Sequence, residues 1–186
     1  MQRFLTHLGT AVKEFFKQYV KVIILVLLGL GVLLFFQKFL VMAVFLAVNA
    51  LIALVWMYFH NRVIAIELIT LTSFLCLYAF GIKAGVFFMF LSLLVHNFIT
   101  TNMSINNALN IVLSPLLLGG LSLVKGLGIV WLGMAHVLII NILFFLLVVL
   151  FQTGQLHKRI IYSVTNIVWT WFLFTNFAEP LLKLFM

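Results

Sequence analysis

Seven long apolar stretches, with almost no acid between them, occupy most of this chain of 186 residues. Hydrophobic residues make up 66% of it and charged residues 8%, too few to build the polar exterior that a water-soluble fold of this size needs. The surrounding solvent must therefore be lipid. In lipid the backbone has to satisfy its own hydrogen bonds, so a chain of long apolar runs is expected to be helical throughout. The expected fold class is all-α: a polytopic transmembrane helix bundle of about six or seven spans with an N-terminal interfacial amphipathic helix. Residues 1–21 would form that helix and 22–186 the transmembrane domain.

The charge balance supports the same class. Eleven Lys and Arg stand against three acids, Glu14, Glu67 and Glu179. In a soluble protein such an excess would suggest nucleic acid. Here the basic residues collect at the ends of apolar runs, where they meet lipid head groups, so the lipid bilayer is the expected partner and nucleic acid is not. The connections between runs are a few residues each, which leaves no expected extramembrane catalytic domain. Cys76 is a lone thiol in the apolar stretch SFLCLYAF, with no basic neighbour to activate it, and is expected to be a small core residue. The first apolar stretch starts near residue 22 without a small-residue cleavage site, so no signal peptide is expected.

Within residues 2–20, Leu5, Leu8, Val12, Phe15, Phe16 and Tyr19 form one helical stripe. Arg3, Thr6, His7, Thr10, Lys13, Glu14 and Lys17 fall on the opposite face. That pattern suits a helix lying in the membrane surface, or a helix docked on a partner. The spanning candidates are 22–36, 39–59, 63–81, 84–100, 111–124, 127–151 and 160–178. A perpendicular helix needs ~20 residues to cross the hydrocarbon, so the first and fifth are short. Only Gln37 and Lys38 separate the first two, which predicts a tight helical hairpin there or a first segment partly on the surface. Segment 111–124 carries Pro115 and the pair Gly119-Gly120, and is expected to be a broken or re-entrant helix. Seven spans or six, counts of Lys and Arg on alternate loops both place the N-terminus in the cytoplasm of a multi-pass cell-membrane protein.

Polar residues at membrane depth are costly and so mark either sites or interhelical hydrogen bonds. Glu67 is the one acid inside a predicted span. It is expected to pair with Arg62 or Lys83, or to act as a proton- or cation-sensing carboxylate. A single carboxylate does not make an acid–base pair, so no catalytic residues are assigned. His96 and His136 lie on different spans and lack an obvious third donor beyond Glu67, so they are expected to be hydrogen-bonded interior histidines, with no metal and no cofactor. The stretch 96–110, HNFITTNMSINNALN, is the main polar concentration and carries no acidic or basic residue apart from His96. Asn97, Asn102 and Asn106 from this stretch, with His96, His136 and Glu67, are the ligand-binding candidates for a small neutral solute. The same stretch would also suit a capped helical turn. Ala43 and Ala47, spaced A-x3-A and continued by Ala50, let a partner helix approach closely, as do Gly81 and Gly85.

With the turn AFGIKAGVFFMFLSLL and the closing YSVTNIVWTWFLF, residues 39–178 resemble in pattern a superfamily. It joins the substrate-binding S components of energy-coupling-factor transporters with the rod-shape-determining MreD proteins. The resemblance implies a non-enzymatic membrane subunit working with other membrane subunits. On the S-component side it matches Ala43 and Ala47 to the stripe that faces the coupling subunit, and implies solute binding for transport. On the MreD side it matches Asn166, Trp169 and Trp171, and implies a scaffold that docks other membrane proteins. The connection His60-Asn61-Arg62 is shorter than the ligand-covering loop usual in S components, and the N-terminal helix with segment 22–36 lies outside the pattern. A membrane enzyme is the third and least favoured reading.

Overall fold

In a computed structural model the description covers residues 2–58, 67–101, 104–124, 126–151, 154 and 156–185, with the side chains of all of these except 2–18, 21, 32–35 and 58. Among the described residues every regular element is a helix. They are α1 (Gln2–Tyr58), α2 (Ile69–Phe80), α3 (Ile82–Ile99), α4 (Ile105–Leu121), α5 (Ile129–Phe151) and α6 (Leu156–Leu173). A π-helical turn, Phe174–Ala178, then leads into α7 (Glu179–Phe185). The side chains up to residue 18 of the stripe expected on 2–20, the connection at His60-Asn61-Arg62, and Asn102 fall outside what is described.

The chain divides into two compact units, Met1–Val41 and Met42–Met186. In the first unit the backbone remains helical through Gln37 and Lys38, so the hairpin expected there does not form. Two polar residues without Gly or Pro offer nothing to break a helix whose neighbours on both sides are good helix formers. The exposed side chains of this unit are large and apolar, Leu25, Leu27 and Leu28 among them.

The second unit is built around α2. Every residue from Ile69 to Leu77 is buried, so this helix has no outward face. It packs against α3, α5, α6 and α7. Gly81 joins α2 to α3 at φ +92°, a conformation glycine adopts without a Cβ penalty. Gly85, one turn later, brings α3 against α2 so closely that an added Cβ would lie 2.5 Å from Leu77 Cβ. Of the G-x3-G pair read from the sequence, Gly85 makes the close approach, within the chain, while Gly81 has nothing within 4 Å and serves the turn. Phe74, Leu75, Phe88, Met89, Leu118 and Phe174 form the dry centre, each at most 1% exposed. Phe74 meets Phe174 edge-on with ring centroids 5.7 Å apart.

Three helices are long and apolar enough to cross a membrane among the described residues: Val22–Met57 within α1, Ile82–Ile99 and Ile129–Phe151. This is fewer than the six or seven spans expected. Candidates 22–36 and 39–59 fall in one helix, α2 and α4 are short at 12 and 17 residues, and α6, with 18, is long enough but not apolar enough. The break expected in 111–124 is also absent. Helix α4 runs through Pro115 and Gly119-Gly120, and it begins earlier, at Ile105, taking in the polar residues before it. A helix already packed on neighbours tolerates a missing N–H better than an isolated one.

Candidate polar cavity

A cavity of about 530 Å³ opens among α2 to α6 of the second unit, and each helix turns one stripe toward it. On α3 the stripe is Met89, Leu93, His96 and Asn97, spaced i, i+4, i+7 and i+8. On α4 it is Asn106, Asn107, Asn110 and Ser114, and on α5 it includes His136, Ile140, Asn141 and Phe144. From α6 come Lys158, Arg159, Tyr162 and Asn166. These are helical periods, so regular helix geometry alone aligns each set on one face.

The α4 wall owes its start to Ser104, whose Oγ accepts the Asn107 backbone N–H at 3.3 Å and caps the helix. The sequence left a capped turn and a pocket wall as alternatives for this stretch. Both descriptions apply, because the cap is what starts the helix that carries Asn106, Asn107 and Asn110 into the wall. Deeper along α4 the Ser114 hydroxyl donates to Asn110 Oδ1 at 2.6 Å. The Ser114 carbonyl lies 3.1 Å from His136 Nε2, which must therefore carry the proton. His136 is 2% exposed and its Nδ1 has no hydrogen-bond partner. The ring meets Phe74 edge-on at 5.7 Å.

Arg159 dominates the electrostatics. Its guanidinium carbon lies 5.2 Å from the Phe144 ring centroid and 5.1 Å from that of Tyr162. Nη2 donates to Asn141 Oδ1 at 3.3 Å, and Nε is buried without a partner. Asn141 is itself fixed by donating from Nδ2 to Val137 O at 2.9 Å. The carboxylate of Glu67 lies within electrostatic reach of Arg159. Glu67 is held by its backbone: Trp169 Nε1 donates to its carbonyl at 3.2 Å, which ties the start of α2 to α6.

Of the residues expected to bind a solute, His96, Asn97, Asn106, His136 and Glu67 all line this one cavity, and Asn102 lies outside the described residues. Ala43 and Ala47 are exposed on α1 and form no part of the wall. Two expectations need correction. Among the described residues the charged neighbour of Glu67 is Arg159, ninety-two residues away in sequence, and Lys83 stands exposed at the start of α3; the expected pairing with Arg62 lies outside the described residues. The wall is also not uncharged, since Lys158 and Arg159 join Glu67 in lining it. Both cations read from sequence as membrane-surface anchors between two spans. The signal that would have placed Arg159 inward is the spacing of Arg159, Tyr162, Asn166 and Thr170, a polar stripe at helical period on α6.

Such a wall can hydrogen-bond and hold charge. Among the described residues no three His, Cys, Asp or Glu side chains converge as metal ligands would. No protein-family model, curated protein or solved structure matches the chain.

Proposed function

We propose that this chain is an integral, multi-pass membrane protein of the cell membrane, its N-terminus in the cytoplasm, that binds a small polar solute in the cavity among α2 to α6 as a non-enzymatic transport subunit. The observation that carries this reading is the convergence of amide, hydroxyl and imidazole groups from five helices on one space of about 530 Å³. That volume lies within the range of small-molecule sites, and convergent polar groups in a largely apolar setting are what such sites use to orient a ligand. Helices that needed only to adhere to one another would close this gap, because packing voids cost stability. Helix α5, long and apolar enough to cross a membrane, carries His136 and Asn141 of the wall. The site would therefore sit at membrane depth, where such residues are expensive and a use for them is expected.

The test is thermal-shift screening of the purified protein against small polar metabolites, repeated on Asn97→Ala and Asn106→Ala. A solute that stabilises the wild type should bind each variant roughly five- to hundredfold more weakly, because a ligand group left unpaired in a dry site costs ~1–3 kcal/mol. A wild type that no solute stabilises, with both variants matching it in assembly, would sink this reading.

A partner subunit belongs to this reading and equally to the alternative, a scaffold that docks other membrane proteins. Ala43 and Ala47 present a small-residue stripe on an exposed face of α1, open to a partner helix.

A further inference from the structure

We infer that the ligand of this cavity bears an anionic oxygen group, a carboxylate or a phosphate, received by Arg159 with Lys158 beside it. This inference rests on the solute-binding reading and specifies the chemistry of the same site.

Three features lead to it. The first is the state of Arg159. A guanidinium offers five donors in a planar fork. Here the bonded contact is one long bond from Nη2 to a neutral amide, Asn141 Oδ1 at 3.3 Å, and Nε has no partner. Its carbon lies 5.2 and 5.1 Å from the Phe144 and Tyr162 ring centroids, so much of its surroundings is aromatic and supplies no oxygen acceptor. A guanidinium with donors to spare is the usual protein device for gripping two oxygens of a carboxylate or phosphate.

The second feature is the charge count. Lys158 and Arg159 line the cavity against the single carboxylate of Glu67. Arg159 is the partly buried one and Lys158 is exposed, and the protein supplies one acid to this wall, so an anionic ligand would meet net positive charge there. The third is position. Both cations lie in the first turn of α6, which starts at Leu156, so the helix's own unpaired N–H groups and partial positive charge lie at the same end. His136 adds a further polar group to the wall, 2% exposed, with Nδ1 unpartnered. In the neutral ring that nitrogen accepts a hydrogen bond, so it would meet a donor elsewhere on the ligand, such as a hydroxyl.

The two sources of such a group in a membrane are a water-soluble organic acid or phosphate and a lipid head group. The test uses matched probes on the purified full chain in detergent: lactate against lactamide, glycerol 3-phosphate against glycerol, and dioleoyl phosphatidate against dioleoylglycerol in mixed micelles. Binding is read by thermal shift and equilibrium dialysis. The expected result is that at least one charged probe binds ~10-fold or more tightly than its neutral counterpart, and that Arg159→Gln weakens it ~10- to 100-fold while Arg159→Lys retains part of the affinity. Success of the soluble probes makes the ligand a free solute, and success of phosphatidate alone makes it a lipid. If Arg159→Gln does not fold, the charged-against-neutral comparison on the wild type decides by itself. Neutral probes that bind as well as their charged counterparts would overturn the inference and leave the solute reading standing. If no probe binds in any arm, both fall.

Discussion

Replacing Gly85 by alanine adds one methyl group where α3 meets the backbone of α2. The new Cβ would lie 2.5 Å from Leu77 Cβ, 2.8 Å from Leu77 Cα and 2.9 Å from Leu77 N. Carbon atoms in contact prefer ~3.5–4.0 Å, so α2 and α3 would have to part by roughly 1 Å. Two of the three neighbours are backbone, and the third is a Cβ fixed to it, so no side-chain rotation relieves the clash. Helix α2 is buried on every side and cannot retreat without disturbing the elements behind it. Overpacking of this kind costs ~1–3 kcal/mol. Alanine also favours the helix over glycine by ~1 kcal/mol, which masks part of the loss. Gly119→Ala is the matched control, because its Cβ would meet Val86 Cγ2 at 3.5 Å, an ordinary contact, and the propensity gain is shared. Gly85→Ala should therefore be less stable than Gly119→Ala by ~1–3 kcal/mol, a difference of ~2–12 °C on the scale of soluble chains of this length. Thermal unfolding of both variants in one detergent reads the difference. Equal midpoints would refute the claim that α2 and α3 approach through a missing side chain.

Two further perturbations separate internal packing from partner contact. Thr72→Val removes the hydroxyl that accepts from Asn49 Nδ2 at 3.0 Å. Asn49 Oδ1 is already unpartnered and the residue is 3% exposed, so the whole amide would be stranded at a cost of ~1–3 kcal/mol. The paired change Asn49→Leu with Thr72→Val should recover most of that loss, and a double variant no more stable than Thr72→Val would contradict the account. Ala43→Leu with Ala47→Leu should expel any helix docked on the exposed stripe of α1, read as loss of co-purifying membrane partners at unchanged expression; full retention of partners would remove the residue-level support for a coupling subunit docked there.

How much of this was legible in the sequence depends on the range of the interaction concerned. Helix content follows from apolar runs, since lipid leaves the backbone few other choices. The capped turn in 96–110, one of two readings of that stretch, and the close approach at Gly85 are local patterns a few residues long, and both occur, whereas Gly81 makes no such approach. Helix ends are less legible, because an apolar run does not say where a helix stops. Segment 63–81 reads as a span, yet α2 is a 12-residue helix enclosed by protein, and enclosure allows it to be short. The hairpin at Gln37-Lys38 failed for the opposite reason: polarity alone does not end a helix that lacks Gly or Pro. For the cavity, residue types were informative and pairings were not. His96, Asn97, Asn106, His136 and Glu67 stand out as polar groups in apolar surroundings, but the approach of Arg159 to Glu67 is a tertiary event between α6 and the start of α2, and no spacing encodes it.

The hydrogen-bond partners of the helices' polar residues bear on function. Ser73 donates to Ile69 O at 2.6 Å, Thr165 to Ile161 O at 2.9 Å and Thr175 to Trp171 O at 2.8 Å. Each returns its hydroxyl proton to a carbonyl one turn back in its own helix, so the group satisfies itself and asks nothing of a ligand. Around the cavity some groups also bond to backbone, and three bonds run between side chains: Ser114 to Asn110 Oδ1, Thr170 to Asn166 Oδ1 and Arg159 to Asn141 Oδ1. In each of these an asparagine carbonyl oxygen is the acceptor, which fixes the orientation of the amide. For Asn110 and Asn166, an occupied oxygen leaves the NH2 end as the half of the amide still seeking an acceptor. Amide donors and a guanidinium around one space leave N–H groups to be met, and an anionic oxygen is a group that meets several of them at once. The same argument explains why serine and threonine, abundant along these helices, were weak guides to the site, whereas asparagine and arginine were the residues whose partners had to be found.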